Sequence, residues 1–299
     1  MESIKITFLG TGNAIPTKLR NHTGILLDVM NEHILVDCGE NIQRQFKIAD
    51  TTASKLTKIC ITHWHGDHIL GLPGLLQTLA MNSYNKTLKL YGPPGTKRYM
   101  GIIMELIKGI KINLEVHEVH PGVCVDEKNI IIEAAALKHG TPAYAYSIKL
   151  KDRVHLDKAK IKKFKIPNSP LLGQLQHGHD IMYEGKKIKA KSVTYLEEGK
   201  KVAIVLDTAM SESAVKIAKD ADILIAEATF AQEEAELAKE YLHLTATDAA
   251  TIAKKAKVKK LVLTHISERY EHIPHVIASE AKKVFKNTIV AKDFDVLTI

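Results

Sequence analysis

The chain has 299 residues, 45% of them hydrophobic and 25% charged. That balance suits a globular protein with ample core and argues against a disordered or fibrous one. The formal net charge of +8 favours polyanionic partners such as nucleic acid. Three cysteines, Cys38, Cys60 and Cys124, are scattered without a C-x-x-C pair. A disulfide scaffold is therefore excluded, and buried thiols in a reducing compartment are expected. No apolar run is long enough to span a bilayer, and no signal-peptide pattern precedes the first strand. A cytoplasmic protein without a membrane partner is expected.

Residues 4–9 alternate as a strand, closed by the turn Gly10-Thr11-Gly12-Asn13. Strands over 24–29 and 33–37, an amphipathic helix over 40–49 and a buried strand over 58–62 follow. A helix near 72–82, a strand over 88–91, the turn Gly92-Pro93-Pro94-Gly95 and a helix over 96–108 come next. Strands near 113–119 and 130–137 precede a further strand over 143–150. Residues 151–185 break the rhythm. They are rich in lysine, carry Pro167 and Pro170 and show little periodic apolar signal, so they read as an inserted arm. The remainder reads as strand 201–206, helix 211–219, strand 223–227, helices 231–241 and 245–256, strand 260–264, helix 274–285 and one or two strands over 288–298. The pattern alone supports α/β or α+β.

The densest chemistry lies in Thr62-His63-Trp64-His65-Gly66-Asp67-His68. A buried strand precedes it, and turn residues followed by a helix succeed it. Three imidazoles and a carboxylate thus crowd a loop at the carboxyl end of a strand. These ligand types suit zinc, iron or manganese. Alternate residues point opposite ways, so His63 and His65 need a bent loop to converge, and Gly66 turns Asp67 and His68 toward a second point. The spacing suggests two metals. His139, Asp207 and His265 each follow a strand-like apolar run, the recurrence expected of a site built at one end of a sheet.

The segment is the H-x-H-x-D-H signature of the metallo-β-lactamase fold, and the chain resembles the ribonuclease Z branch of that superfamily. Pro16-Thr17-Lys18-Leu19-Arg20-Asn21 resembles the family's P-x-K-x-R-N loop. Ala226-Glu227-Ala228-Thr229 resembles its H-E-A-T motif, with Ala226 in place of His. His243-Leu244-Thr245 resembles its H-x-T motif, and the stretch His265 to Tyr270 matches the segment after the last ligand. The resemblance covers essentially the whole chain. It implies an αββα four-layer sandwich as a single domain over 1–299, with a flexible tRNA-binding arm at 151–185. It also implies one metal on His63, His65 and His139, a second on Asp67, His68 and His265, and Asp207 bridging them. Two Zn²⁺ are expected, with Mn²⁺ or Fe²⁺ as alternatives, and Asp67, Glu227 and His243 are the expected catalytic groups. Glu227 would keep His243 protonated for the leaving 3′-oxygen, and Asp37 would orient a ligand histidine or the bound water from behind.

The expected RNA contacts are Lys18, Arg20 and Asn21 beside the site and Lys158, Lys160, Lys162, Lys163 and Lys165 in the arm. Residues 149–165 hold eight Lys and Arg against two Asp. Ser169-Pro170 replaces the family's usual Gly-Pro in the arm. The implied function is removal of the 3′ trailer from precursor tRNA by a homodimer. A small-molecule or cyclic phosphodiesterase of the same fold, and a catalytically silent RNA-binding module, are the other functions considered. The basic arm argues against the first and the complete ligand set against the second.

Overall fold

The computed structural model describes residues 3–299. In chain order, β1 (Ile4–Gly10), β2 (Gly24–Val29), β3 (Glu32–Val36), β4 (Lys58–Cys60), β5 (Thr87–Gly92) and β6 (Asn113–Glu118) carry α1 (Ile42–Ile48), α2 (Gly66–Ile69), α3 (Leu72–Met81) and α4 (Thr96–Leu106) between them. β7 (Gly122–Asp126), β8 (Ile130–Ala136) and β9 (Tyr144–Leu150) lead into an excursion containing β10 (Arg153–Leu156), α5 (Lys158–Lys163), α6 (Pro170–Gln176), β11 (Ile181–Tyr183), β12 (Lys186–Ile188), α7 (Ala190–Val193) and β13 (Thr194–Glu197). β14 (Lys201–Val205), α8 (Glu212–Ala218), β15 (Ile223–Glu227), α9 (Ala235–Tyr241), α10 (Ala246–Ala256), β16 (Lys260–Thr264), α11 (His275–Val284), β17 (Thr288–Val290) and β18 (Val296–Thr298) complete the chain.

Two seven-stranded sheets organise the larger unit, which comprises the residues up to Lys149 together with Lys200–Ile299. Their orders are β18-β1-β2-β3-β4-β5-β6 and β17-β16-β15-β14-β9-β8-β7. β3 to β6 run parallel, as do β14 to β17. Parallel strands at the centre of a sheet must be covered on both faces, which is why β14, β15 and β16 read as near-continuous apolar runs.

In the first sheet Leu26, Leu35, Ile59, Leu88 and Leu90 pack with Ile42, Phe46, Leu72, Leu75, Leu76 and Met100 of the helices. The alternate residues Ile25, Leu27, Ile34 and Val36 are equally buried on the opposite face. In the second sheet Leu224, Ala226, Leu261 and Leu263 pack with the helix layer. There α10 presents Ala246, Ala249, Ala250, Ala253 and Ala256, an apolar stripe at helical spacing. Small side chains let the helix lie close to the sheet. The result is the expected four-layer αββα sandwich, with helices outside both sheets. No helix among the described residues is long and apolar enough to cross a membrane.

The second unit spans Leu150–Gly199, wider than the arm expected at 151–185. It has its own small core of Ile166, Leu175, Ile181, Ile188, Ala190 and Val193, a pattern that short elements of three to seven residues hide from any periodicity test. β10 pairs with β13 and β11 with β12. Asp157 caps α5, which buries no residue. Lys158, Lys160, Lys162, Lys163 and Lys165 are all exposed. The unit carries eleven Lys and Arg against six Asp and Glu, a net +5 out of the chain's +8.

Two further differences concern strands. β7 was not expected, because three of its five residues are exposed and only Val125 is buried, so no alternation marks it. The last stretch is two strands that belong to different sheets, β17 beside β16 and β18 beside β1.

Candidate metal centre

The site forms where the carboxyl ends of β3, β4, β14, β15 and β16 meet, the end of a parallel sheet that usually receives ligands. β4 delivers residues 62–68, β14 Asp207, β15 Glu227 and β16 His265, while β8 precedes His139. His63 Nε2 lies 3.0 Å from His65 Nδ1, and His139 Nε2 lies 3.2 Å from the same atom. Asp207 Oδ2 stands 3.6 Å from His63 Nε2 and 4.0 Å from His139 Nε2. On the other side Asp67 Oδ2 is 3.3 Å from His68 Nε2 and 3.4 Å from His265 Nε2. Asp207 Oδ1 is 3.5 Å from His68 Nε2 and 3.3 Å from His265 Nε2. Asp207 therefore turns one oxygen to each group of nitrogens.

These donor sets fit cations. His68 Nε2 and Asp207 Oδ1 are buried with no hydrogen-bond partner, and the orphaned lone pairs converge rather than diverge. Burial drives His63 well below the ordinary imidazole range, helped by the neighbouring His68 ring, so it offers the neutral ring that a metal needs. Burial opposes charge on Asp67 and Asp207. The surrounding rings, His68 for Asp67 and His265 and His68 for Asp207, nevertheless hold both carboxylates well below their usual range. Four-atom sets of two or three imidazoles and one or two carboxylates suit zinc, iron or manganese.

A ring of hydrogen bonds aims the donors. Asp37 Oδ2 accepts from Thr62 Oγ1 at 2.7 Å and lies 2.6 Å from His68 Nδ1, while Oδ1 accepts from the Thr62 amide at 2.7 Å. With Nδ1 engaged, His68 turns Nε2 to the site. Asp37 and His265 both have left-handed backbones, φ 58° and 57°, a region that Asp and His enter more readily than most residues with a side chain. Thr229 Oγ1 donates to Glu227 Oε2 at 2.6 Å and lies 2.9 Å from His265 Nδ1. Glu227, fully buried, also accepts the Thr208 amide at 2.7 Å and faces His243 Nδ1 at 3.0 Å. Burial opposes charge on His243, but the Glu227 carboxylate outweighs it and raises that ring to about 9. The His243 ring stacks 5.6 Å from His265 and lies 5.3 Å from His139.

Ala226, where the related motif has His, faces the helix-side core and is fully buried. Its neighbour Glu227 points the other way, so the replacement leaves the site untouched. Thr62, Thr208 and Thr229 carried no sequence signal of their own. Their placement one residue from a ligand, or one or two from a strand-end acid, was the available clue.

The basic loop at 16–21 divides. Lys18 is exposed, whereas Arg20 is 4% exposed. Arg20 Nη1 donates to Thr11 Oγ1 at 2.6 Å and to the Ala291 carbonyl at 2.7 Å. Arg20 thus turns Nη1 into the protein, whereas Lys18 faces solvent. Asn21 donates to the Glu40 carbonyl at 2.8 Å.

Two helix-covered sheets with a His and Asp cluster at their carboxyl edge define a metallo-β-lactamase-fold protein with a centre for divalent metal. A family model described as Anti-Pycsar protein Apyc1 matches residues 4–157. Ribonuclease Z of Picosynechococcus sp. is 39% identical over 97% of this chain and 95% of its own length. Ribonuclease Z of Methanosarcina acetivorans is 37% identical over 99% and 98%. Among solved structures, the human tRNase Z short form matches with a TM-score of 0.71 at 28% identity, over 98% of both chains. YhfI of Bacillus subtilis, a metallo-β-lactamase-fold protein, matches with a TM-score of 0.73 at 20% identity over 100% of both, and shares the fold. The chain belongs to the ribonuclease Z family.

Proposed function

We propose that the chain is a metal-dependent endoribonuclease that removes the 3′ trailer of precursor tRNA, leaving a 3′-hydroxyl on the tRNA and a 5′-phosphate on the trailer. The observation that carries this reading is the pairing of His243 with buried Glu227 beside the two donor sets. When bound, two divalent cations would activate a water and stabilise charge on the phosphate. His63, His65 and His139 would hold one, Asp67, His68 and His265 the other, and Asp207 both. With Nδ1 on Glu227, His243 has its Nε2–H left to give. An alkoxide leaving from a ribose is a poor leaving group, and proton donation from His243 removes that difficulty. Thr229 locks Glu227 and His265 in one hydrogen-bonded unit, so the proton donor and a ligand move together.

Zinc is the proposed metal, two ions per chain. The exposed lysines of the second unit support a grip on the tRNA backbone. Met81, Ile102 and Leu106, each more than half exposed on α3 and α4, support a homodimer. Three free cysteines, two of them buried, suit the cytoplasm, where precursor tRNA is the substrate at hand. The test is incubation of the purified protein with a precursor tRNA, with and without chelator, and mapping of both new ends. Cleavage after the acceptor stem that stops with chelator and returns with zinc is expected. Absence of cleavage alongside hydrolysis of a small phosphodiester would overturn the assignment.

A further inference from the structure

The loop 16–21 stands beside the metal loop. The amide of Ile266, next to His265, donates to the Thr11 carbonyl at 3.0 Å, and the Gly12 amide to the Asn21 carbonyl at 2.9 Å. On the other side, a Cβ on Gly39 would stand 2.5 Å from both the Asp67 carbonyl oxygen and His22 Cβ. The loop closes on itself. The Thr17 amide donates to the Arg20 carbonyl at 2.8 Å. The Leu19 and Arg20 amides donate to Thr17 Oγ1 at 3.2 and 3.0 Å. Lys18 therefore occupies the tip of a tight turn, exposed together with Leu19.

The residues after Lys18 are tied to the C-terminal part of the chain. The Leu19 amide donates to Glu271 Oε1 at 3.1 Å, Arg20 Nη1 to the Ala291 carbonyl at 2.7 Å and the Asn21 amide to Asp293 Oδ2 at 2.7 Å. Glu271 also accepts the Thr17 hydroxyl. That hydroxyl thus gives its one hydrogen to Glu271 and its two lone pairs to backbone amides. The Thr17 hydroxyl first, and the Leu19 amide after it, hold the Glu271 carboxyl below its usual range. Glu271 therefore grips the residue on each side of Lys18. It is held firmly in turn. Tyr270 is 2% exposed, its amide donates to the Ser267 carbonyl at 3.0 Å, and its hydroxyl accepts the Ala231 amide at 3.0 Å. The Ser267 amide donates to the Thr229 carbonyl at 3.3 Å, so Glu271 belongs to the same hydrogen-bonded stretch as Thr229 and His265.

On charge alone, a carboxylate so near a phosphate-binding lysine weakens the pull on RNA. The bonds of Glu271 give it another role. The lysine stem is flexible, so the reach of its ammonium is set by where the backbone beneath it is fixed. We propose that Glu271 is a positioning residue: by holding Thr17 and Leu19 it sets Lys18 in register with the metal centre, to meet a phosphate flanking the cut. The inference rests on the reading of the chain as a precursor-tRNA endonuclease.

The test uses the full metal-loaded protein with Glu271→Ala, Glu271→Gln, Lys18→Ala and the Glu271→Ala, Lys18→Ala double variant. Charge and positioning predict opposite signs. Deleting a carboxylate should tighten binding of precursor tRNA if only charge counts. The proposal expects Glu271→Ala to raise KM about three- to tenfold with kcat unchanged. The slope of log K against log salt should flatten by up to about 0.7–0.9, one phosphate contact. Glu271→Gln keeps a carbonyl oxygen with two lone pairs for the same donors and should recover most of the loss. On a Lys18→Ala background, Glu271→Ala should add nothing further. Tighter or unchanged binding in Glu271→Ala overturns the proposal, as does a loss that adds in full to that of Lys18→Ala or one that Gln does not recover. An equal loss on a small phosphodiester, which has no flanking phosphate for Lys18 to hold, would show a merely structural role and overturns it too. If the wild type cuts the precursor normally, these failures touch Glu271 alone. If it cuts no precursor, the function and the inference fall together.

Discussion

Asp207 sits between two groups of nitrogen donors and gives each one oxygen. Asp207→Ala should therefore lose at least one metal per chain by elemental analysis and abolish cleavage, since two cations without a shared anion repel one another. Full metal content with normal cleavage would show that the bridge lies elsewhere. His243 acts differently. His243→Ala should keep metal and tRNA binding while slowing cleavage by about 10²–10⁴-fold. A nitrophenyl phosphodiester, whose leaving group needs no proton, should be affected far less, and an equal loss on both substrates would contradict proton donation. The ligand types were legible in the sequence because each stands where an apolar run stops. The aiming of His68 by Asp37 and of His265 by Thr229 depends on chain segments 31 and 36 residues apart meeting in space. Local pattern does not encode such meetings.

The loop 16–21 separates two like charges. Two cations two residues apart look alike in sequence, yet Lys18 is exposed while Arg20 is buried against Thr11 and Ala291. Asp293 sits in the same network, accepting from Thr11 at 2.6 Å. Arg20→Ala would strand these partners and should destabilise the protein by about 2–4 kcal/mol in urea melts. Lys18→Ala should leave the melt unchanged and raise the KM for precursor tRNA. The reverse pattern would support the phosphate-clamp reading of Arg20. Strands β15 and β16 were legible to the residue, because both faces are covered and the apolar run is unbroken. β7 was not, because solvent claims most of it.

At the scale of the molecule, charge is unevenly placed, with +5 of +8 in one-sixth of the chain. The ends of that unit adjoin closely. A Cβ on Gly199 would stand 1.8 Å from the Leu150 carbonyl oxygen, so residues 151–198 can be replaced by a short Gly-Ser linker. If the lysines neutralise about four phosphates, the replacement should flatten the slope of log K against log salt by roughly three. Hydrolysis of a small phosphodiester should persist. An unchanged slope would remove the unit from tRNA binding. Two sheets with outer helices were legible only as a mixed class, since the strand order, and above all the parting of β17 and β18, is fixed by long-range pairing.

The antiparallel seam between β1 and β18 has a consequence for the chain's connectivity. The Ile4 amide donates to the Ile299 carbonyl at 3.0 Å and the Ile299 amide to the Ile4 carbonyl at 3.1 Å, which places Ile299 beside the first strand. Backbone that close can be joined by a few residues, and new termini can be opened at an exposed turn. His120 and Pro121, both exposed between β6 of one sheet and β7 of the other, are such a turn. A circular permutant beginning at Pro121 would be synthesised with Asp207 and His265 ahead of His63 and His68. It should still bind metal and cleave. That result would show that the centre depends on which strands are neighbours and is indifferent to the order in which they leave the ribosome.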